Sequence, residues 1–256
     1  MKAVMLGTGT SFPDPLRVQS GILIEDGNRR ILLDIGSGVL HRLTQLEFDM
    51  KTIEAVFISH FHIDHCADFL PLCQSLWLSG FDQTLKLYAP PTVREWSRGL
   101  NDIAFTYLRD KIRIATTSLQ ENHVVVLENF TIATAPTIHS NYDTRAFKVE
   151  HNGKSLTFSS DTAPSRDIID LAKNTDVLIH ECNWLDGVHR ESIHTSPSEL
   201  AMIAEEINPQ KIVLTHVTPE VVAEKEKVIE IVSRRTSADV WAEKDWFSIS
   251  LNLKIN

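Results

Sequence analysis

Four times along this chain an apolar, β-branched run stops on a histidine or an aspartate: "VFIS" at His60, "FTIATAPTI" at His139, "SLTFSS" at Asp161 and "KIVLT" at His216. Runs of this kind read as strands buried on both faces. The ends of strands in a layered sheet converge on one rim, so the repeated pattern constrains both the fold and the place where a site can form. A lone histidine at a strand end is ordinarily a surface or hydrogen-bonded residue. The same pattern at four separated places points instead to one assembled site.

The first of these ends is the densest, reading HFHIDH over His60–His65. In extended backbone, positions i and i+2 point the same way. His60 and His62 can therefore converge on one ion. Asp64 and His65 follow where the chain turns into a helix, and they can face a second ion. Oxygen and nitrogen donors without thiolate suit zinc, manganese or iron.

The rest of the 256 residues shows no repeat and no Pro/Gly/Ser-rich linker, so residues 1–256 read as one domain. Strand-rich runs with interspersed helices occur in each half. They fit an α/β architecture of two mixed sheets packed face to face with helices outside. Turn chemistry predicts hairpins at "DGNR" and at Asn152–Gly153. Ser196 and Glu199 form a predicted capping box. A helix is predicted over residues 92–108, and "VWAEKDWFSISLNL" reads as a terminal hairpin or strand pair. Trp77, Trp96 and Phe105 fall in predicted helices, as core or as a wall of the pocket.

The net charge of −9 counts against bulk binding of structured nucleic acid. No apolar run approaches the length of a membrane span. The opening "MKAVMLGTGTSF" reads as a strand entering a glycine turn rather than a signal peptide. Cys66, Cys73 and Cys182 form no CxxC pair, which predicts reduced thiols in the cytoplasm. "GTGTSF" has neither GxGxxG nor a Walker lysine, and Gly7 and Gly9 are expected to let the chain turn close to the site. His180 alternates to the face opposite Glu181 and reads as structural.

HFHIDH, the lone His139, the Asp161 of "SDT" and the His216 of "LTH" together resemble the metallo-β-lactamase-fold hydrolase superfamily. "LGTGTSFP" and "LLDIGSG" look like the same family, and the resemblance covers essentially the whole chain. It implies an αββα sandwich with a centre of two divalent metal ions, zinc or alternatively manganese or iron. By matching position, His60, His62 and His139 would bind one metal, Asp64, His65 and His216 the other, and Asp161 would bridge them.

Within the superfamily, "LIHECNW" followed by "HTSPSELAMIAEEINPQKIVLTH" is similar to the ribonuclease Z branch, with His-Glu-Cys-Asn where that branch has HEAT. The resemblance makes Glu181 the residue orienting His194, and His194 the general acid toward the leaving oxygen. Asp64 would double as acceptor of a proton from the attacking water. The branch also implies a homodimer. In ribonuclease Z the interval between the ligands at His139 and Asp161 carries an arm that grips transfer RNA. Here 21 residues fill it, and the Asn-Gly hairpin occupies them.

The expected activity is therefore hydrolysis of a small phosphodiester: a cyclic nucleotide, a cyclic phosphate or a short oligonucleotide end. The alternatives are transfer-RNA 3′ processing, hydrolysis of another ester such as an aryl sulfate, lactone or thioester, or a metal-binding structural protein that kept the fold.

Overall fold

The computed structural model describes residues 1–251. The last residues of the final apolar run, 252–256, lie outside the described residues. Alternation along the strands decides the layering. In β1 (Lys2–Gly7), Ala3 and Met5 enter one core while Val4 and Leu6 enter another. β2 (Gly21–Asp26), β3 (Arg29–Leu33) and β4 (Ile53–Phe57) repeat the division. Ile22, Ile24, Ile31, Leu33, Ala55 and Phe57 point one way, and Leu23, Leu32 and Val56 the other. A sheet that is apolar on both faces has to be covered on both.

β5 (Thr84–Ala89), β6 (Arg113–Ser118) and a late strand, Ser248–Ser250, complete this sheet. The second sheet contains β7 (Val124–Val126), β8 (Thr131–Pro136), β9 (Arg145–His151), β10 (Lys154–Phe158), β11 (Val177–Glu181), β12 (Lys211–Thr215) and β13 (Asp239–Trp241). With the late strand as β14, the orders are β14-β1-β2-β3-β4-β5-β6 and β13-β12-β11-β10-β9-β8-β7. Phe130, Ile132, Phe147, Val149, Leu156, Phe158, Val177 and Ile179 of the second sheet's half pack with the inner residues of the first. This is the central core.

Helices cover the outer faces. α1 (Val39–Gln45), α2 (Ile63–Cys66), α3 (Phe69–Leu78) and α4 (Val93–Gly99) cover the first sheet through Val39, Leu43, Phe69, Leu72, Leu76 and Val93. α5 (Arg166–Ala172), α6 (Pro197–Ile207), α7 (Pro219–Ala223) and α8 (Lys225–Ser233) cover the second through Ile169, Leu200, Ile203, Ile207, Val221, Val228 and Val232. The four layers form the αββα sandwich. Among the described residues, no helix is long and apolar enough to cross a membrane.

The local turn signals act as their chemistry dictates. Asn152 and Gly153 both take positive φ, 49° and 68°, as a type I′ hairpin requires. The capping box at Ser196 and Glu199 starts α6. Three readings need correction. The helix over 92–108 ends at Gly99, where glycine's poor helix propensity admits a π turn over Leu100–Ala104 and then a short 3₁₀ turn. The C-terminal run is no hairpin: β13 pairs parallel to β12, and β14 pairs antiparallel to β1 in the other sheet. Finally, Gly7 and Gly9 face the Arg17–Gln19 segment rather than the ligand cluster. A Cβ on Gly7 would lie 1.7 Å from the Gln19 carbonyl oxygen.

Phe147 is fully buried and meets Phe57 edge-on across the two sheets, with ring centroids 5.7 Å apart. Phe147→Ala should lower the free energy of unfolding by about 3–5 kcal/mol, read from the midpoint of a urea titration.

Candidate metal centre

The strand ends place the site. β4 runs through Ile58 and Ser59 to His60, β8 reaches His139, β10 reaches Asp161, β11 ends on Glu181 and β12 leads to His216. His62 caps α2 with extended backbone, so Asp64 and His65 leave the same loop already in the first helical turn. His60, Asp64, His65, His139, Asp161 and His216 are all buried, and His62 is half-buried.

Their donor atoms converge in two adjacent groups. His60, His62, His139 and Asp161 bring ligand atoms within 4.8 Å of one another, and so do Asp64, His65 and His216. In the first group, His60 Nε2 lies 2.9 Å and His139 Nε2 3.2 Å from His62 Nδ1. In the second, Asp64 Oδ2 lies 3.3 Å from His216 Nε2 and 3.6 Å from His65 Nε2. Asp161 sits between them. Its Oδ1 is 3.4 Å from His65 Nε2, while its Oδ2 is 3.4 Å from His216, 3.7 Å from His139 and 4.0 Å from His60.

The electrostatics are those of a place that wants positive charge. Burial, reinforced by His65, pushes His60 well below its ordinary range, leaving a neutral imidazole. Burial opposes ionisation of Asp161, yet His216 and His65 hold its carboxyl well below the usual carboxylate range. Burial likewise opposes charge on His65, but Asp161 and Asp34 outweigh it and raise that imidazole well above its ordinary value. Two buried atoms at the centre, His65 Nε2 and Asp161 Oδ1, have no hydrogen-bond partner among the described residues. A cation between them would satisfy both, so the residues present fit divalent metal ions. The thiols do not compete. Burial pushes Cys66 and Cys73 up to about 12 and Cys182 higher still, so none offers a thiolate.

The inward-facing nitrogens of His60, His65, His139 and His216 are each aimed by a partner on the outer side of the ring. His65 Nδ1–H donates to Asp34 Oδ2 at 2.7 Å. His139 Nδ1–H donates to the Ile193 carbonyl at 3.1 Å. Ser59 Oγ lies 3.0 Å from His60 Nδ1, and the Asn183 amide lies 2.9 Å from His216 Nδ1. Asp34 is the hub of this outer set. It is fully buried and also accepts from Ser59 N at 2.8 Å and Ser59 Oγ at 3.0 Å. Sequence reading passed over Asp34, although it follows the strand "RILL" in the same strand-then-aspartate pattern that marks Asp161. Asn183, at the fourth position of the His-Glu-Cys-Asn departure, carried no such signal.

Backbone strain gathers here too. Asp34, Ser140, Ser160 and His216 all take left-handed φ, between 50° and 59°. Each belongs to the donor cluster, neighbours one of its residues or is the hub, and each left-handed non-glycine costs about 1–3 kcal/mol.

Glu181 is fully buried beside the cluster. Its Oε1 accepts from His194 Nδ1 at 2.9 Å and from the Thr162 amide, and its Oε2 accepts from the Thr195 amide at 3.1 Å. Burial works against charging His194, but Glu181 raises its imidazole above the ordinary value. His194, Asp161 and His216 also bring side-chain donor atoms within 4.8 Å of one another. His180 is buried with its Nδ1 on the Glu181 carbonyl, outside the cavity.

The cavity over the cluster has a volume of about 670 Å³, and its walls include Thr10, Ser11, Phe12, Ile63, Tyr142, Trp184 and Glu191. Trp96 and Phe105 line a separate apolar cavity instead, which shares only Ile63 with this one among the described residues. Trp77 is half-buried, with Lys111 over its ring at 5.5 Å.

Known proteins resemble this chain over most of their length. A ribonuclease Z of Methanosarcina mazei is 23% identical over 269 aligned residues, covering 85% of this chain and 88% of that protein. YhfI of Bacillus subtilis, a metallo-β-lactamase fold protein, superposes with a TM-score of 0.84 at 26% identity, over 97% of this chain and 98% of that one. The short form of human tRNase Z shares the fold, with a TM-score of 0.78 at 21% identity over 99% of this chain and 100% of that one. Fold and site thus define a metal-dependent hydrolase of the metallo-β-lactamase fold, in its ribonuclease Z-like branch. The profile of the family described as anti-Pycsar protein Apyc1 matches residues 1–237, and the chain belongs to that family.

Asp34→Asn keeps the shape and tolerates left-handed φ, but it removes the charge that aims His65. It should weaken binding of metal by about 10–100-fold while leaving the circular dichroism spectrum unchanged, as measured by competition with a chromogenic chelator.

Proposed function

We propose that the chain is a dinuclear phosphodiesterase acting on a small phosphodiester. The observation that carries this is the pairing of His194 with buried Glu181 in the same cavity as Asp161 and His216. A proton donor beside a metal cluster is of most use when the leaving group is an alkoxide, as in an aliphatic phosphodiester.

His60, His62 and His139 would hold one divalent ion and Asp64, His65 and His216 the other, with Asp161 shared. Zinc fits these donors, and manganese and iron are alternatives. Bound ions of this kind acidify water to near neutral pH and neutralise charge growing on phosphoryl oxygens. The protein's own groups handle the protons. Burial opposes ionisation of Asp64, but its hydrogen bond with His216 keeps the carboxyl below its usual range, so Asp64 is a carboxylate able to accept a proton from the attacking water. His194 gives Nδ1–H to Glu181, which leaves Nε2 to carry the proton delivered to the departing oxygen.

The substrate is small on this reading. Between His139 and Asp161 the chain builds β9, the Asn152–Gly153 turn and β10, and these strands lie within the sheet. No transfer-RNA-gripping arm occupies that interval. The names of the ribonuclease Z relatives keep transfer-RNA 3′ processing as the competing reading. Three free, buried cysteines fit a reducing compartment such as the cytoplasm. The ribonuclease Z resemblance supports a homodimer, which sedimentation would test.

Asp161→Ala should abolish both metal content and turnover. His194→Ala should keep its metal, measured by plasma emission, and lose about 10²–10⁴-fold in turnover of a phosphodiester with an alkoxide leaving group. An unchanged rate there removes the acid role. One preparation should also turn over 2′,3′- or 3′,5′-cyclic nucleotides faster than a transfer-RNA precursor; the reverse order would restore the processing reading.

A further inference from the structure

One buried carboxylate has no part in the chemistry above. Asp245 stands well past His216 in the sequence, between β13 and β14, and is buried. Its two oxygens take four donors. Oδ1 accepts from Thr8 N–H at 3.0 Å and from the Thr8 hydroxyl at 2.8 Å. Oδ2 accepts from Val18 N–H at 2.7 Å and from Arg42 Nη2 at 3.3 Å. Burial raises this carboxyl above its usual range, and the bonds from Val18 and Thr8 oppose that rise. With four hydrogens turned toward it, the group acts as a carboxylate. Arg17, also buried, donates to the Thr8 hydroxyl and, at 2.8 Å, to the Glu243 carbonyl. A charge taken out of water is costly to keep, so what its bonds hold in place matters.

Each oxygen secures one approach to the second donor group. From Oδ1 the line is short. The Thr8 carbonyl accepts from Val217 N–H at 3.1 Å. Val217 follows His216, whose φ is 50°. A left-handed residue other than glycine persists only where its surroundings over-determine it. β12 holds His216 on one side, with the Thr215 carbonyl accepting from Cys182 N–H at 3.1 Å, and Thr8 holds it on the other. So held, His216 Nε2 comes within 3.3 Å of Asp64 Oδ2.

From Oδ2 the line runs through Val18 to Ser20. The Ser20 hydroxyl donates to Asp34 Oδ2 at 3.2 Å, and its carbonyl accepts from Gly36 N–H at 2.8 Å. Asp34 is the group that aims His65. The two lines therefore end on His216 and His65, both in the group completed by Asp64. Of the other group they reach only His60, and one bond later, through Ser59.

We propose that Asp245 is a positioning residue for His65 and His216, and that it sets the affinity with which they and Asp64 hold a divalent ion. This rests on the reading of two ions in the centre.

The test titrates zinc into the metal-free full chain by competition with a chromogenic chelator. The wild type should take up two ions in separable steps, and the step lost in His216→Ala marks the ion in question. Asp245→Asn keeps the shape but turns an NH2 toward Val18 N–H and Arg42. It should weaken that step by about 10–100-fold and leave the other in place. The Val217 amide of metal-free Asp245→Asn should also exchange with deuterium faster than in the wild type. Phe147→Ala loosens the central core but none of these bonds, and it should leave both steps unchanged. Where Asp245→Asn fails to fold, Thr8→Val decides: it removes the hydroxyl, keeps the N–H and the carbonyl, and should weaken the same step by a smaller factor. Equal weakening of both steps would make Asp245 a support of the whole fold and overturn the proposal. Both steps intact in Asp245→Asn, or in Thr8→Val standing in for it, would overturn it as well, and so would the same selective loss in Phe147→Ala. A wild type that takes up a single ion would overturn the two-ion reading and the proposal together.

Discussion

The buried approach of His65 Nε2 to Asp161 Oδ1, 3.4 Å apart with neither atom hydrogen-bonded among the described residues, sets the terms for everything around it. A buried polar atom left unpaired costs about 1–3 kcal/mol, and an unpaired charge more. The chain accepts that cost at the meeting of its two sheets and surrounds it with supporting bonds. Asp34 fixes one side of His65, Ser59 ties Asp34 to His60, and Asn183 lies against His216. Four left-handed residues add strain at the same place. Only a rim fixed by three separate apolar cores can hold such an arrangement, and the sandwich supplies them.

The layers were legible because their cause is local. Strands buried on both faces show as unbroken apolar runs, and the Asn152–Gly153 turn follows from the freedom of those two residues to take positive φ. The positions of His60, His139, Asp161 and His216 at strand ends were legible for the same reason. Asp34 obeyed that rule too, but it stands alone in its segment without a second polar group to draw attention. Asn183 and Tyr142 sit in irregular loops, where no periodicity marks a residue. The destination of β14 was hidden because pairing partners are chosen by the whole fold rather than by the segment. β6 was hidden as well: its "RIATTS" carries a charge and four small residues, and only its place beside β5 makes it a strand.

Rigid and variable parts divide the work. The ligand-type residues sit at strand ends and in the first turn of α2, so their geometry is tied to the sheets. The mouth comes from the turn after β1, the turn after His139 and the loop carrying Trp184 and Glu191. Loops tolerate change more readily than strands. The same centre can therefore serve different esters in different relatives, with the mouth deciding which one enters.

β14 carries a consequence for how this chain comes to be folded. It pairs Lys2 with Ser250 and Val4 with Ser248, so the edge of β1 is closed by almost the last described residues. During synthesis, β1 emerges long before β14 and waits with one row of backbone donors and acceptors open. Such an edge invites pairing with a neighbouring chain. Contacts so distant in sequence also form slowly. Pairing with β2 covers only the opposite edge of β1, so this edge stays open until β14 is made, and shielding by a chaperone in that interval bears on yield separately from the stability of the finished sandwich.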